Sequence, residues 1–408
     1  MTQTPLNSGD AIAAHPQNNP TSAQDWVDWY WATFLPGWID RAQDSDGLGF
    51  FDLLDAQAQP LQPDRRTLLA QARLLFTFSH LALVSGNLAY RDAAQIARNA
   101  LPAFRKAPGL YCRATTRTGQ ATGNSDDALA TSYDQSFVVL GLATWGKLNP
   151  DEDVEPELEA CWSAVETLLT DPVTGLMLEH DGVGDPAADE APNRAQNPHM
   201  HLYEAALQAY EMTGKPVWMD RAAAKRAKGL EYFLDPETGT ITEFLAPALT
   251  ILPGRDGQRR EIGHQCEWAW LLIREADLGG DPAMRQVAAR MLAFADQHGF
   301  AKTGVMQGAA FDAVSADVSW REDRFLLWPQ TEAIKAHAVR AGQGDYADKA
   351  QALALVMFQQ YFAGRAGFIN QVDASGQAVW PEGLSRLHYH IVLGLTEGAR
   401  AGLWRYPA

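Results

Sequence analysis

A glycine-led segment recurs six times along the chain, and no other feature restricts the possible folds so strongly. The copies are GLGFFDLLD from Gly47, GLYCRATTRTG from Gly109, GLMLEHDG from Gly175, GTITEFLAP from Gly239, GVMQGAAFD from Gly304 and GFINQVDASG from Gly367, at spacings of 62, 66, 64, 65 and 63 residues. So even a period marks a repeat architecture in which each unit relies on its neighbours to cover its apolar faces. The period exceeds that of the common solenoids, so each unit should be a large helical hairpin.

Before each glycine lies an amphipathic stretch, such as AYRDAAQIARNALPAFRKA or EPELEACWSAVETLLTD, with apolar residues every three or four positions and charges on the other face. After each segment comes a second stretch, such as SYDQSFVVLGLATWGKL or HQCEWAWLLIREADLG, which is more continuously apolar. That contrast is expected of outer helices and of inner helices covered on both sides. The count is twelve helices in six pairs, beginning with an outer helix and ending with an inner one. This arithmetic fits an all-α fold, a closed (α/α)6 barrel with short β segments in the loops at the end where the inner helices start. An open array would need polar capping repeats at its ends, and neither terminal repeat has that character. One domain is expected over residues 25–408, after a polar tail over residues 1–24 that has no Lys or Arg to serve a secretory signal.

A net charge of −17 argues against nucleic acid or an anionic membrane surface as partner. No apolar run reads as a membrane span. Cys112, Cys161 and Cys266 are scattered and odd in number, which suits a reducing cytoplasm rather than a disulfide framework.

In such a ring the first turns of the inner helices converge, so polar residues there are the candidates for function. Arg73 interrupts LLAQARLLF, either paired with a carboxylate or as a fork for substrate oxygens. Tyr133, Asp134 and Gln135 open the second inner helix. On the third, Asn197, His201 and Glu204 share a stripe that is costly unless it faces a wet cavity, while His199 points elsewhere. On the fourth, His264 and Glu267 are spaced i, i+3, which puts a carboxylate beside an imidazole and suits a general base. The fifth brings Trp328, Gln330 and Glu332. The sixth brings His388 and His390, of which only one should enter the cavity. His201, His264 and His390 thus stand near the starts of three separate inner helices. With nearby carboxylates they could hold a metal, although no tight ligand motif such as HExxH is present. Two imidazoles across a sugar-sized cavity suit ring opening and proton transfer next to a carbonyl, giving a ketose or the epimeric aldose. Paired carboxylates would instead suit a glycoside hydrolase.

The chain resembles the N-acylglucosamine 2-epimerase superfamily. The likeness rests on QARLLFTFS at Arg73, YDQSFVVLGLA at Tyr133, NPHMHLYEA at Asn197 and His201, GHQCEWAWLL at His264 and Glu267, WPQTEA at Trp328, and YHIVLGLTE at His390. The resemblance implies an (α/α)6 barrel that needs neither metal nor organic cofactor. It implies that His264 and His390 are the acid/base pair with Glu267 supporting His264. Arg73, Tyr133, Asn197, His201 and Trp328 would bind the sugar, with Gln330 beside them. Relatives that accept disaccharides carry a Trp where this chain has Ser385, which points to a monosaccharide. The expectation is therefore an aldose-ketose isomerase for D-mannose and D-fructose, with D-lyxose as a further substrate, acting as a cytoplasmic monomer or homodimer.

Overall fold

The computed structural model describes residues 20–407. Positions 1–19 of the expected tail and position 408 lie outside the described residues. Ser22 caps the first helix, its hydroxyl accepting from Asp25 N at 3.2 Å, so helical structure begins at Ala23, just ahead of the expected boundary.

Twelve long helical segments form two concentric layers among the described residues. The inner helices are Leu68–Ser85, Ser132–Leu148, Asn197–Thr213, Ile262–Asp277, Leu327–Ala338 and His388–Arg400. Each packs on its inner neighbours, and the sixth closes on the first. The outer layer comprises Leu88–Ala100, Glu155–Leu168, Pro216–Phe233, Met284–His298, Tyr346–Met357 and one composite helix. That composite joins Ala23–Trp29 to Leu35–Ala42 through a π-helical turn, Tyr30–Phe34, just before Pro36, which has no N–H to give the preceding turn. Leu68–Ser85 is long and apolar enough to cross a membrane by length and composition, yet it is mostly buried inside the ring.

The tight hairpins run from an inner helix to the following outer one, as at Gly86, whose φ of 70° ends the first inner helix before Asn87 caps the next. The glycine-led segments make the longer passage from outer to inner. This phase leaves the composite first helix to cover the last inner helix, so the two ends of the chain close the barrel. Tyr30 Oη lies 2.9 Å from His388 Nδ1, the Trp38 and His388 rings are 4.0 Å apart, and Arg405 pairs with Asp28 at 2.6 Å. Just before the last inner helix starts, Gly383–Leu384 pairs antiparallel with Leu53–Leu54. That pair belongs to a set of small antiparallel sheets built from the connecting segments.

The segments are held to the inner helices by a repeated clamp. The side-chain amides of Gln71, Gln135, Gln265 and Gln330 each bond both the N–H and the carbonyl of one segment residue, respectively Phe50, Tyr111, Ile241 and Ala310, at 2.7–3.0 Å. In the third repeat His199 Nε2 accepts from Met177 N at 3.0 Å in the same place. Buried polar groups paired in this way fix the level of five of the six inner-helix starts. Gln330 is therefore a structural clamp, fully buried on Ala310 and Leu326, rather than the sugar ligand expected for it.

Candidate active site

Two positions after each clamp lies a residue on the opposite side of its helix, facing the barrel axis. These are Arg73, Phe137, His201, Glu267, Glu332 and His390, and they touch in a circuit. The Arg73 guanidinium lies 4.1 Å from the Phe137 ring centroid, and the Phe137 and His201 rings are 4.7 Å apart. Ligand atoms of His201 and Glu267 lie within 4.8 Å of each other, as do those of Glu267, Glu332 and His390. Arg73 Nη1 completes the circuit 3.3 Å from His390 Nε2.

Four members of this circuit, Arg73, His201, Glu267 and His390, floor a cavity of about 270 Å³, near the lower end of small-molecule sites. Arg73, Tyr133, Asn197, His201, His264, Glu267, Trp328 and His390, eight of the nine residues expected from sequence, line it, and Gln330 does not. Trp328 stands between the two histidines, its ring 4.8 Å from that of His264 and 5.8 Å from that of His390. Gly263 makes room for it, since a Cβ there would lie 2.4 Å from the indole.

The two imidazoles have opposite surroundings. His264 Nδ1 lies 2.6 Å from Glu243 Oε2 and 3.2 Å from Glu261 Oε2. Burial pulls His264 down, and the two carboxylates more than reverse it, holding the ring up at about 10. Glu243 is itself fixed by Gln196 Nε2 at 3.1 Å and Glu261 N at 2.9 Å. The support expected from Glu267 thus comes from Glu243 and Glu261. Glu267 makes no hydrogen bond to His264; both its oxygens are buried without a hydrogen-bond partner and it faces the cavity.

His390 is pushed well below the usual histidine range by burial and by the cations of Arg73 and Lys335. Its Nδ1 lies 2.7 Å from Glu332 Oε1. Arg73 can only donate, so Nε2 accepts and the ring proton belongs on Nδ1. Arg73 also donates to Tyr133 Oη at 2.7 Å. Among the described residues no carboxylate lies within ion-pair distance of its guanidinium, so the carboxylate pairing offered by the sequence is not found. His201 Nδ1 lies 3.0 Å from Glu204 Oε2, which also accepts from Tyr389. Asn197 Oδ1 is buried with no partner.

Glu261, Asn370, Trp380 and Arg386 also line the cavity and were not singled out by the sequence, which offered Glu243, another lining residue, only as a hydrolase carboxylate. Ser385 is buried and bonds Phe51 O, so no aromatic stands there, but Trp380 brings a 37% exposed indole to the cavity from the strand Ala378–Trp380. Arg386 is half-buried, also lines an adjoining cavity of about 510 Å³, and has no ion-pair partner among the described residues. Of the clusters able to offer metal ligands, Glu243, Glu261 and His264 are engaged in the short contacts above, and a cation among Glu267, Glu332 and His390 would meet the Lys335 ammonium, 2.5 Å from Glu332 Oε2.

A sequence model of the family described as N-acylglucosamine 2-epimerase (GlcNAc 2-epimerase) matches residues 49–393. The chain is 27% identical over 396 residues to a mannose-6-phosphate isomerase of Rhizobium meliloti (strain 1021), covering 92% of this chain and 96% of that one. It is 28% identical over 230 residues to a D-mannose isomerase of Thermobifida fusca, covering 53% and 55%. In structure it matches the cellobiose 2-epimerase of Bacillus thermoamylovorans B4167 with a TM-score of 0.79, at 16% identity and covering 92% and 98% of the two chains.

Proposed function

The chain belongs to the N-acylglucosamine 2-epimerase family, and from that premise we propose that it interconverts D-mannose and D-fructose by proton transfer between C2 and C1. It is a sugar isomerase or epimerase, an enzyme acting on small-molecule sugars. The observation that carries the finer reading is the pair of imidazoles flanking Trp328 in one cavity, one held as a cation by carboxylates and the other kept neutral beside cations. Environments that separate two titratable groups in this way assign the acid and the base.

In the open-chain aldose, His390 Nε2 takes the C2 proton. The C–H electrons become the C1=C2 bond, and the carbonyl electrons move to O1, which receives a proton from the His264 imidazolium. The enediol then returns its O2 proton to His264 as the C2 carbonyl forms, and the His390 imidazolium delivers its proton to C1. Arg73, donating beside His390, stabilises charge on the oxygens. D-Lyxose, which lacks only C6 of mannose, can follow the same course. Return of the proton to the opposite face of C2 would give the epimeric aldose instead. Incubation with D-mannose in D2O followed by NMR tests the reading: deuterated fructose as first product supports it, and glucose as first product replaces it with epimerisation.

Arg386 favours a second reading, a hexose carrying an anionic group such as a 6-phosphate, in line with the name of the Rhizobium relative. Charge-assisted hydrogen bonds contribute about 1.5–3 kcal/mol. Arg386→Ala should then lower kcat/KM for mannose 6-phosphate roughly tenfold to a hundredfold and leave that for mannose unchanged. Equal effects on the two sugars remove this reading.

A further inference from the structure

Below the cavity floor lies a cation that the proton transfers do not touch. Lys335 is fully buried, its Nζ 2.5 Å from Glu332 Oε2, 3.9 Å from Glu267 Oε1 and 4.0 Å from the centroid of Trp270. A lysine so placed is costly unless its charge is needed, and an apolar side chain of similar length would pack there at lower cost. Its neighbours supply the need. Glu267 and Glu332 are both fully buried with oxygens within 4.8 Å of each other, a distance at which two carboxylates tend to share one proton.

The location of that proton matters to His390. Glu332 Oε1 lies 2.7 Å from Nδ1, and Arg73 Nη1 lies 3.3 Å from Nε2. If Glu332 carried the proton, its O–H would donate to Nδ1 and the ring hydrogen would move to Nε2. That hydrogen would oppose the Arg73 N–H, and the lone pair facing the sugar would be lost. An ionised Glu332 accepts from Nδ1–H and leaves Nε2 bare. We propose that Lys335 is a positioning residue that keeps Glu332 ionised and thereby fixes the His390 tautomer with its Nε2 lone pair toward the substrate.

The other titratable groups around this pair are Glu267 and Cys266 on the fourth inner helix, Glu204 on the third, and His390 and Tyr389 on the sixth. Lys335 supplies the only full positive charge in contact with Glu332 among the described residues. Burial and then Glu267 push Glu332 well above the usual carboxylate range, and Lys335, 2.5 Å from Oε2, is the group that opposes them.

The inference rests on His390 serving as base, but its first test does not depend on activity. In protein with 15N-labelled histidine, the His390 resonances, identified by their loss in His390→Asn, should show Nδ1 protonated at neutral pH. In Lys335→Met the hydrogen should move to Nε2 and return to Nδ1 only as pH is raised. A wild-type ring protonated on Nε2 overturns the proposal even if the variant does not fold. In turnover, Lys335→Met should lose roughly a hundredfold in kcat at neutral pH with KM unchanged within about twofold, and recover on the alkaline side. Lys335→Arg should retain the wild-type profile. A folded Lys335→Met with unaltered tautomer and pH profile overturns the proposal, whereas absence of any sugar turnover in wild type counts against the catalytic reading alone.

Discussion

Glu243→Gln is the perturbation that most directly probes the charge on His264. The carboxylate lies 2.6 Å from Nδ1, closer than Glu261 at 3.2 Å. Against burial the two together hold the ring at about 10, so at pH 7.5 nearly every wild-type molecule carries the imidazolium. Loss of one adjacent opposite charge ordinarily moves a pKa by about 1–3 units. Glu261 is itself pushed up to about 7, by burial and then by Glu243, against His264; it becomes the better partner once Glu243 is neutral, so the fall is incomplete. The ring should then titrate near about 7–9. The glutamine oxygen can still accept from His264 and Gln196. Its amide would oppose the Glu261 N–H that Glu243 Oε1 now satisfies, a cost of about 1–3 kcal/mol in stability. The sign of the linkage is set by a folded pKa raised above the unfolded value. His264 stabilises the wild type fully below pH 6.5 and loses that contribution as pH rises toward about 10. The variant should therefore lose less stability than wild type between pH 7 and 10, and the alkaline limb of its kcat profile should move down by about 1–3 units. NMR titration of the ring and melting curves across that range measure both effects. An alkaline limb and a ring titration that match wild type in folded variant would refute the assignment of Glu243 as the group that charges His264.

Two further outcomes follow from the packing. Gly109→Ala should destabilise by about 2–5 kcal/mol, because φ is 69° and the new Cβ would lie 2.0 Å from the carbonyl of Ala160 in the neighbouring outer helix. Gly86→Ala has the same φ strain with nothing within 4 Å and should cost only about 1–2 kcal/mol, so equal urea midpoints for the two variants would contradict the steric argument. On acidification, the neutral histidines His199, His337 and His388 are depressed by burial to about 3, 4 and 3. Their folded values lie below the unfolded one, so stability is intact above pH 6.5 and is lost as pH falls below it. Three such groups give a slope of about 4 kcal/mol per pH unit near pH 5. Asp52, raised to about 6 by burial, offsets part of this. His388→Asn should flatten the slope by about one such group, and melting temperatures from pH 7 to 4.5 will read it.

The ring, its order and its inner surface were legible because the period and the apolar continuity of the inner helices both survive in one dimension. The partners of His264 were not, and the reason is geometric. Side chains on a helix lean toward its N-terminus. A histidine in the first turn reaches back beyond the helix start, toward Glu261 just before it and Glu243 in the preceding segment, rather than forward to Glu267 one turn deeper. The i, i+3 spacing was real, but it described a neighbour in the wrong direction.

The same reasoning separates the two polar residues that recur on most inner helices. A pair two positions apart faces opposite sides, so Gln330 and Glu332, or Gln265 and Glu267, divide into a clamp turned toward the glycine-led segment and a member of the axial circuit. One helix alone does not say which is which, since either side of an inner helix is covered. Alignment of the repeats with one another does. The clamp position reads Gln, Gln, His, Gln, Gln, His, nearly uniform because the first five hold the backbone of a segment, while His388 instead meets Tyr30 Oη. The axial position reads Arg, Phe, His, Glu, Glu, His, and four of the six, Arg73, His201, Glu267 and His390, line the one cavity. Among repeats that share a backbone, the position that varies in chemistry while remaining buried is the one that carries function. By that criterion His390 belongs to the axial circuit, beside Glu332, and His388, which meets Tyr30 Oη on the composite helix, does not.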